Sequence, residues 1–525
     1  MRLRRSVRAT VSTAIGGLTA VVMLALPTGG ASPAATDSSA TIRGHALSSS
    51  QRAVLHGIAE DTWAFYRKDI DPATHLPLDN LGPGTTRGTY TSAANIGVYL
   101  WAVVAAGDLH LISRRTEVSL VRSTLREVRT LKRSHGFLYQ WYDTTNGDVI
   151  RNPGDIDCSQ ETTPTQDNCY FLSAVDNGWY ASGLVVVRQA LPELHRLASK
   201  LLGHMDFSIF YDGRPQKPGC NTNPDIAGNQ PTGQMYGGYY VDQGPAGDHN
   251  GALYSDPRIA MYMGMGLHQM PGDVWWRTWR VLPPKQCATD PDFSWQGQWP
   301  PKGHWVTITD PQSGKAFNVW EGHYTYPGTD LKYIPTFGGG MFEGLMANDV
   351  VPETRWGPHS FGLADVRTVQ VQIRYATRKL GYPVWGMSPS STADDTGGYG
   401  GFGVEGLKFP AHHQLSQCTT CATETTVTPH ASFLALATAP QAAFENIQKL
   451  RRLYPDIYTT HGGFYDAVDP TTGAVGHRFL VLDQSMIMAS IDNALNHGAI
   501  QRYFAQDPVS WAAHTYLSME RMSLN

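Results

Sequence analysis

Thr91-Ser-Ala-Ala-Asn-Ile-Gly-Val-Tyr-Leu-Trp-Ala-Val-Val-Ala-Ala106 contains no charged side chain. Its apolar residues occupy every side of a helical wheel rather than one stripe, the pattern of a helix packed on all faces. The segments around it read differently. Gln51–Arg67 gathers Leu55, Ile58 and Phe65 on one face, and Arg115–Leu131 repeats Val118, Val121, Leu125 and Val128 at helical spacing. A wholly apolar helix beside one-faced helices predicts helices packed on helices, with no sheet between them.

The rest of the chain extends that series. Ser173–Ala190 carries Tyr180, Leu184 and Val187, and Tyr254–Leu267, Gly338–Ala347, Phe361–Lys379, His430–Thr438, Gln441–Leu453 and Asp483–Asn496 follow. Weaker helical signals lie at Pro192–Gly203 and Asp273–Arg280, which bring the number close to twelve. Gly136–Tyr142 and Phe464–Val468 read as short extended arms. Long loops are expected at Arg151–Leu172, Asp212–Leu253 and Pro283–Thr336, and loops of that length usually cover or serve a site. No βαβ alternation interrupts the pattern. An all-α ring of paired helices with decorated loops and minor β-hairpins accounts for it better than a sheet fold.

Composition narrows the function classes. The chain has 525 residues, a net charge of −4 and 16% charged residues, so nothing in it suggests a nucleic-acid surface. Its 24 Tyr and 14 Trp supply aromatic faces of the kind that stack on sugar C–H groups. Arg2, Arg4, Arg5 and Arg8 precede an apolar run, Val11–Leu26, and then small residues to Ala35. That order predicts a signal peptide over 1–35, a disordered tail over 36–50, and one catalytic domain over 51–525, secreted and extracellular. No later stretch is apolar enough to suggest stable membrane insertion. Cys158, Cys169, Cys220, Cys287, Cys418 and Cys421 form an even set suited to disulfides in an exported chain. Sequence proximity favours pairing them locally. The oligomeric state is not legible.

Sugar chemistry asks for two carboxyl groups, one protonated towards the leaving oxygen and one ionised. Asp176 stands in Ser173-Ala-Val-Asp176, which also fits a capping box. Asp256, in Tyr254-Ser-Asp256-Pro257, also fits a helix cap with proline at the first helical position. Glu343 follows three glycines and sits among Met341, Phe342, Leu345 and Met346, where a buried carboxyl would need a partner such as Arg355 or Arg374, or a raised pKa. Further substrate contacts are expected from Trp320, Glu321, Trp385, Tyr399, Phe402, Glu405, His430, Tyr465, Asp466 and Asp483. No metal-binding or phosphate-binding motif is present, and no metal or cofactor is expected.

Several motifs together resemble the glucoamylase-like domain family, which includes the endo-β-1,2-glucanases of glycoside hydrolase family 144. They are Ser173-Ala-Val-Asp-Asn-Gly178, Thr336-Phe-Gly-Gly-Gly-Met-Phe-Glu-Gly-Leu-Met346, Tyr382-Pro-Val-Trp-Gly-Met-Ser388, Tyr399-Gly-Gly-Phe-Gly-Val-Glu-Gly-Leu-Lys408, Thr428-Pro-His-Ala-Ser432, Gly463-Phe-Tyr-Asp-Ala467 and Leu482-Asp-Gln484. The resemblance implies an (α/α)₆ toroid and an inverting acid/base hydrolase acting on a neutral poly- or oligosaccharide, with β-1,2-glucan the candidate. It favours Asp256 as the acid, with Asp176 or Glu343 as base or substrate anchor. Two positions depart from the family pattern: Tyr254-Ser-Asp256 replaces a Tyr-Asn-Glu, and Glu405 stands where proline is expected. Two rival expectations are a polysaccharide lyase on a similar toroid and a glycan-binding protein without catalysis.

Overall fold

Helices start where the sequence supplies side-chain caps. Ser48 accepts from the Gln51 amide while the Gln51 side chain returns to the Ser48 amide at 2.8 Å, a complete capping box. Ser92, Ser113 and Ser173 cap the next long helices with their side-chain oxygens, accepting from the amides of Asn95, Thr116 and Asp176. In chain order the helices are α1 (Ser49–Asp69), α2 (Ala93–Asp108), α3 (Arg114–Val128), α4 (Ala174–Ala190), α5 (His195–Leu202), α6 (Arg258–Gly266), α7 (Asp273–Arg277) and α8 (Met341–Leu345). They continue as α9 (Glu353–Trp356), α10 (Phe361–Arg374), α11 (Pro429–Leu434), α12 (Pro440–Leu453), α13 (Val481–Leu495), α14 (Ala499–Gln506) and α15 (Trp511–Met519).

These elements come from a computed structural model that describes residues 46–151, 170–215, 232–250, 252–281, 302–334, 336, 339–404 and 426–525. The described residues fall within one unit, Thr41–Asn525. The six cysteines, Glu405 and the N-terminal segment expected to be a signal peptide lie outside the described residues.

The protein is helix-rich, as expected, and its helices pack in a definite series. α2 lies against α4 and α13, α4 against α6, α13 against α11, and α11 against α8. Arg258 in α6 donates to the carbonyls of Glu343 and Gly344 in α8, which joins the two ends of the series. On the outside α1 packs on α13, α3 on α2, α5 on α4, α10 on α8, α12 on α11 and α15 on α6. The apolar run that opened the sequence behaves as predicted, because every residue of α2 from Ala93 to Ala106 is buried. Glycine makes the central contacts possible. A Cβ on Gly183 would lie 2.5 Å from the Gly97 carbonyl oxygen, and one on Gly97 would lie 2.5 Å from that of Trp179. At those distances only hydrogen fits, so α2 and α4 meet backbone to backbone.

Four expectations need correction. The predicted loop Pro283–Thr336 contains an antiparallel hairpin, Lys302–Thr309 paired with Ala316–Thr325. Its turn is locked by Asp310, whose carboxylate accepts from the Ser313 amide, Trp276 Nε1 and the Tyr516 hydroxyl, fixing the hairpin to α7 and α15. α14 and α15 extend the helical series beyond the predicted set, and α7 ends at Arg277 rather than Arg280. Thr91 and Ser92 are extended rather than helical, pairing with Tyr142 and Trp141 before α2 begins.

The close approach of α2 and α4 gives a direct test. Gly183→Ala inserts a methyl against fixed backbone and should destabilise the protein by at least about 1–3 kcal/mol in chemical denaturation. Gly57→Ala, on α1 with nothing within 4 Å of the new Cβ, should instead stabilise by up to about 1 kcal/mol through helix propensity. Equal effects at the two positions would contradict this packing.

Candidate active site

Several inner helices present an acidic or polar side chain in or just before their first turn. Asn95 lies in the first turn of α2, Asp176 in that of α4, Glu343 in that of α8, His430 in that of α11 and Asp483 in that of α13. Asp256 stands two residues before α6. These residues, scattered through the sequence, form two clusters that Tyr399 links.

The first cluster contains the three carboxyls singled out in the sequence. Ser255 Oγ lies 3.4 Å from Asp256 Oδ1 and 3.4 Å from Glu343 Oε2, so the Asp256 and Glu343 side chains flank one hydroxyl. Burial pushes the Glu343 pKa well up, and the adjacent Asp256 charge together with a hydrogen bond to Asp256 pushes it further. Glu343 therefore keeps its proton and donates it towards Asp256. Asp176 is raised to about 6, mainly by burial, with the Asp256 charge adding to the rise and a Ser173 hydrogen bond opposing it.

The capping readings resolve differently for each position. Ser173 does cap α4, accepting from the Asp176 amide at 3.2 Å, and the Asp176 carboxyl still faces Asp256. The cap expected of Asp256 does not form: α6 begins at Arg258 with no side-chain cap, which leaves the Asp256 carboxyl to its acidic neighbours. Glu343 pairs with neither Arg355 nor Arg374. The nearby cation is Arg258, which binds backbone carbonyls and Glu353 and only modestly opposes the rise in Glu343.

The second cluster joins His430, Asp466 and Asp483, all buried, with ligating atoms within 4.8 Å of one another. His430 Nδ1 is 2.8 Å from Thr428 Oγ1 and 3.0 Å from Asp483 Oδ2. Burial lowers His430 to about 4, so the ring is neutral near pH 7 and gives the carboxyls no countercharge. Asp466 is pushed well up by burial and by the Asp483 charge. Asp483 reaches about 7, again mainly through burial, with Asp79 contributing. With both ionised, these two groups would turn like charges on each other; one shared proton, carried by Asp466, relieves that. Among the described residues, this trio is also the group that could ligate a divalent cation.

Tyr399 connects the clusters. It is 55% exposed, and its pKa is pushed well up by desolvation and by the charges of Asp483, Asp466, Glu343 and Asp79. Asp79 accepts from Asn95 Nδ2 at 2.9 Å. Neither Asp79 nor Asn95 was singled out in the sequence. Asp79 sits in an unremarkable Pro-Leu-Asp-Asn stretch and Asn95 inside an apolar helix, where a buried amide was the only available signal.

The remaining expected contacts divide. Trp385 is 5% exposed, and its backbone is held by Asn446 through bonds at 3.2 and 2.7 Å. Phe402 is buried. Tyr465 stacks on Phe479 with centroids 4.4 Å apart, while Asp466 beside it turns the other way to join Asp483. Trp320 faces Trp305 across the hairpin at 5.2 Å, and Glu321 is buried 3.5 Å from Arg280 beside Glu520. The aromatic loop expected around Trp320 is thus a strand, and alternation along it sends Glu321 into the interior rather than towards the carboxyl clusters.

The raised Asp176 pKa predicts how stability depends on pH. A carboxyl at about 6 in the folded state, against about 4 when unfolded, stabilises fully below 4, and that contribution is lost as pH rises through 6. Asp176→Asn should therefore raise the melting temperature relative to the parent more at pH 7.5 than at pH 4. An equal difference at both values would contradict the burial of this charge.

Comparison with known proteins places this arrangement. Residues 311–508 match the Glycoamylase family model, described as "Putative glucoamylase". The cyclic β-(1,2)-glucan synthase NdvB of Rhizobium meliloti is 32% identical over 197 residues, 35% of this chain, and the match spans only 6% of that much longer protein. The endo-β-1,2-glucanase of Chitinophaga pinensis superposes with a TM-score of 0.60 at 15% identity, covering 90% of this chain and 98% of its own. The β-1,2-glucanase of Parabacteroides distasonis gives 0.62 at 14% identity over 90% of this chain and 60% of its own. A glucanase-like fold is thus shared along most of the chain, and residues 311–508 are similar to the glucoamylase-like family model.

Proposed function

We propose that this protein is a glycoside hydrolase that cleaves a neutral glucan with inversion, on an (α/α)₆ toroid. The packing series from α2 through α4, α6, α8, α11 and α13 back to α2, with a second helix outside most members, supports the toroid. β-1,2-Glucan is the first substrate to consider, because the similar synthase and glucanases are named for that linkage.

The observation that carries the reading is the buried Glu343 meeting Asp256 at the Ser255 hydroxyl, where burial and the Asp256 charge push the Glu343 pKa well up, together with the second buried acidic pair, Asp466 and Asp483. In this proposal the Asp256–Glu343 pair gives its proton to the glycosidic oxygen as the C–O bond breaks. The Asp466–Asp483 pair takes a proton from the water whose oxygen bonds to the anomeric carbon from the opposite face. Asp176, ionised above about pH 6, accepts from a sugar hydroxyl. Glu343, buried and with its pKa pushed well up, carries the proton at rest. A uronate-cleaving lyase fits less well: Asp79, Asp176, Asp256 and Asp483, where ionised, would repel a substrate carboxylate, and the nearby Arg258 is spent on protein groups. The basic and apolar N-terminus supports export, with 1–35 removed.

Purified protein incubated with β-1,2-glucan and a panel of other neutral glucans should release reducing ends, with the inverted anomer appearing first by proton NMR. Asp256→Asn and Glu343→Gln should each lower kcat by about 10²–10⁴-fold with near-parental melting temperatures. Release of no sugar from any glucan, or near-parental turnover in both variants, would overturn the proposal.

A further inference from the structure

Arg258 is completely buried, and all five of its N–H groups are used. Nε and Nη2 grip the Glu353 carboxylate at 2.7 and 2.8 Å. Nη1 donates to the Ser255 carbonyl at 2.9 Å and to the Glu343 carbonyl at 3.2 Å, and Nη2 also reaches the Gly344 carbonyl. The guanidinium lies 5.5 Å from the Tyr254 ring centroid and 5.0 Å from that of Phe361. Tyr262 donates to Glu353 Oε1 at 2.7 Å, completing the anchor at the start of α9.

These bonds are made to particular places. Ser255 precedes Asp256, and the other two carbonyls belong to Glu343 and its neighbour. One planar fork thus grips the main chain beside both carboxyl-bearing residues, which are far apart in sequence. A Cβ on Gly344 would fall 2.8 Å from Thr336 Cγ2 and 2.9 Å from the Tyr254 hydroxyl, so that side of the joint is closed as well. We propose that Arg258 is the positioning residue of the acid pair, fixing the separation of Asp256 and Glu343 through their backbones without touching substrate. The inference rests on the assignment of that pair as the proton donor.

A guanidinium does this where an ammonium cannot. Lysine keeps the charge for Glu353 but offers three donors from one atom and no rigid fork. Sub-ångström changes in carboxyl separation alter how a proton is shared, so loosening the joint should appear in the ionisation of Glu343 before it appears in sugar binding.

The test uses Arg258→Lys and Glu353→Gln in the full-length protein, each with two readouts. The first is kcat, KM and the pH profile on the glucan that the parent cleaves. The second is the protonated-carboxyl infrared band assigned to Glu343 by its loss in Glu343→Gln, followed against pH, which needs no turnover. Arg258→Lys should lower kcat by about 10²-fold with KM within a few-fold, and move the alkaline limb and the Glu343 band together to lower pH. Glu353→Gln leaves the three carbonyl bonds in place, so it should lower the melting temperature while kcat and the band stay near parental. A folded Arg258→Lys with parental kcat and an unmoved band overturns the proposal. If Arg258→Lys does not fold, Glu353→Asp decides, since it draws the fork back by one C–C bond: a shifted Glu343 band supports the proposal and an unshifted one overturns it. If the parent cleaves no glucan but the band moves in Arg258→Lys, the hydrolase reading fails while the positioning role stands.

Discussion

Repulsion among desolvated carboxyls is the constraint on which this architecture turns. Asp176, Asp256 and Glu343 meet at one place and Asp466 and Asp483 at another, with Asp79 near the second group. Among the described residues, no matching set of cations offsets them. His430 is neutral, and Arg478 approaches Asp79 only to 3.9 Å. The field of the helix N-termini favours negative charge at Asp176 and Asp483, but such an effect is worth about 0.3–1 kcal/mol, less than one pKa unit. Burial moves these groups to about 6 and about 7, so desolvation wins. What remains is to hold protons, one within each close pair, and a carboxyl that keeps its proton near neutrality is what glycosidic cleavage requires.

Holding such groups in place costs stability that the surrounding helices must supply. α2 and α4 approach until backbone meets backbone at Gly97 and Gly183, and Trp101 meets Trp179 edge to face at 5.5 Å between centroids. The Arg258–Glu353 pair removes two charges from water completely, a choice that pays only when every donor and acceptor is bound. Here the guanidinium is fully bound, and its bonds run to the segments that carry the acid pair. Packing and site geometry are therefore one structure near α6 and α8.

Much of this was legible in the sequence, for identifiable reasons. α2 was evident because an uncharged apolar run with no polar stripe has few other homes. Asp176, Asp256 and Glu343 stood out because each sits where a helix begins or where glycine admits close contact. The hairpin at 302–325 was hidden inside a stretch rich in Pro, Gly and Trp, although Val306-Thr-Ile-Thr309 does alternate. Its lock, Asp310, depends on Trp276 and Tyr516, contacts that no local pattern reveals. The same holds for Arg258, which reads in sequence as an ordinary helix residue after proline, and for Asp79, whose importance comes only from what folds around it.

The most direct test is a crystal structure of the Glu343→Gln variant with a β-1,2-linked gluco-oligosaccharide bound. A glycosidic oxygen within about 2.6–3.2 Å of the Asp256 or Gln-substituted position, with the anomeric carbon turned towards Asp466 and Asp483, is the result this account predicts. A sugar bound away from both carboxyl clusters, or lying across them with no glycosidic oxygen near the acid pair, would contradict it.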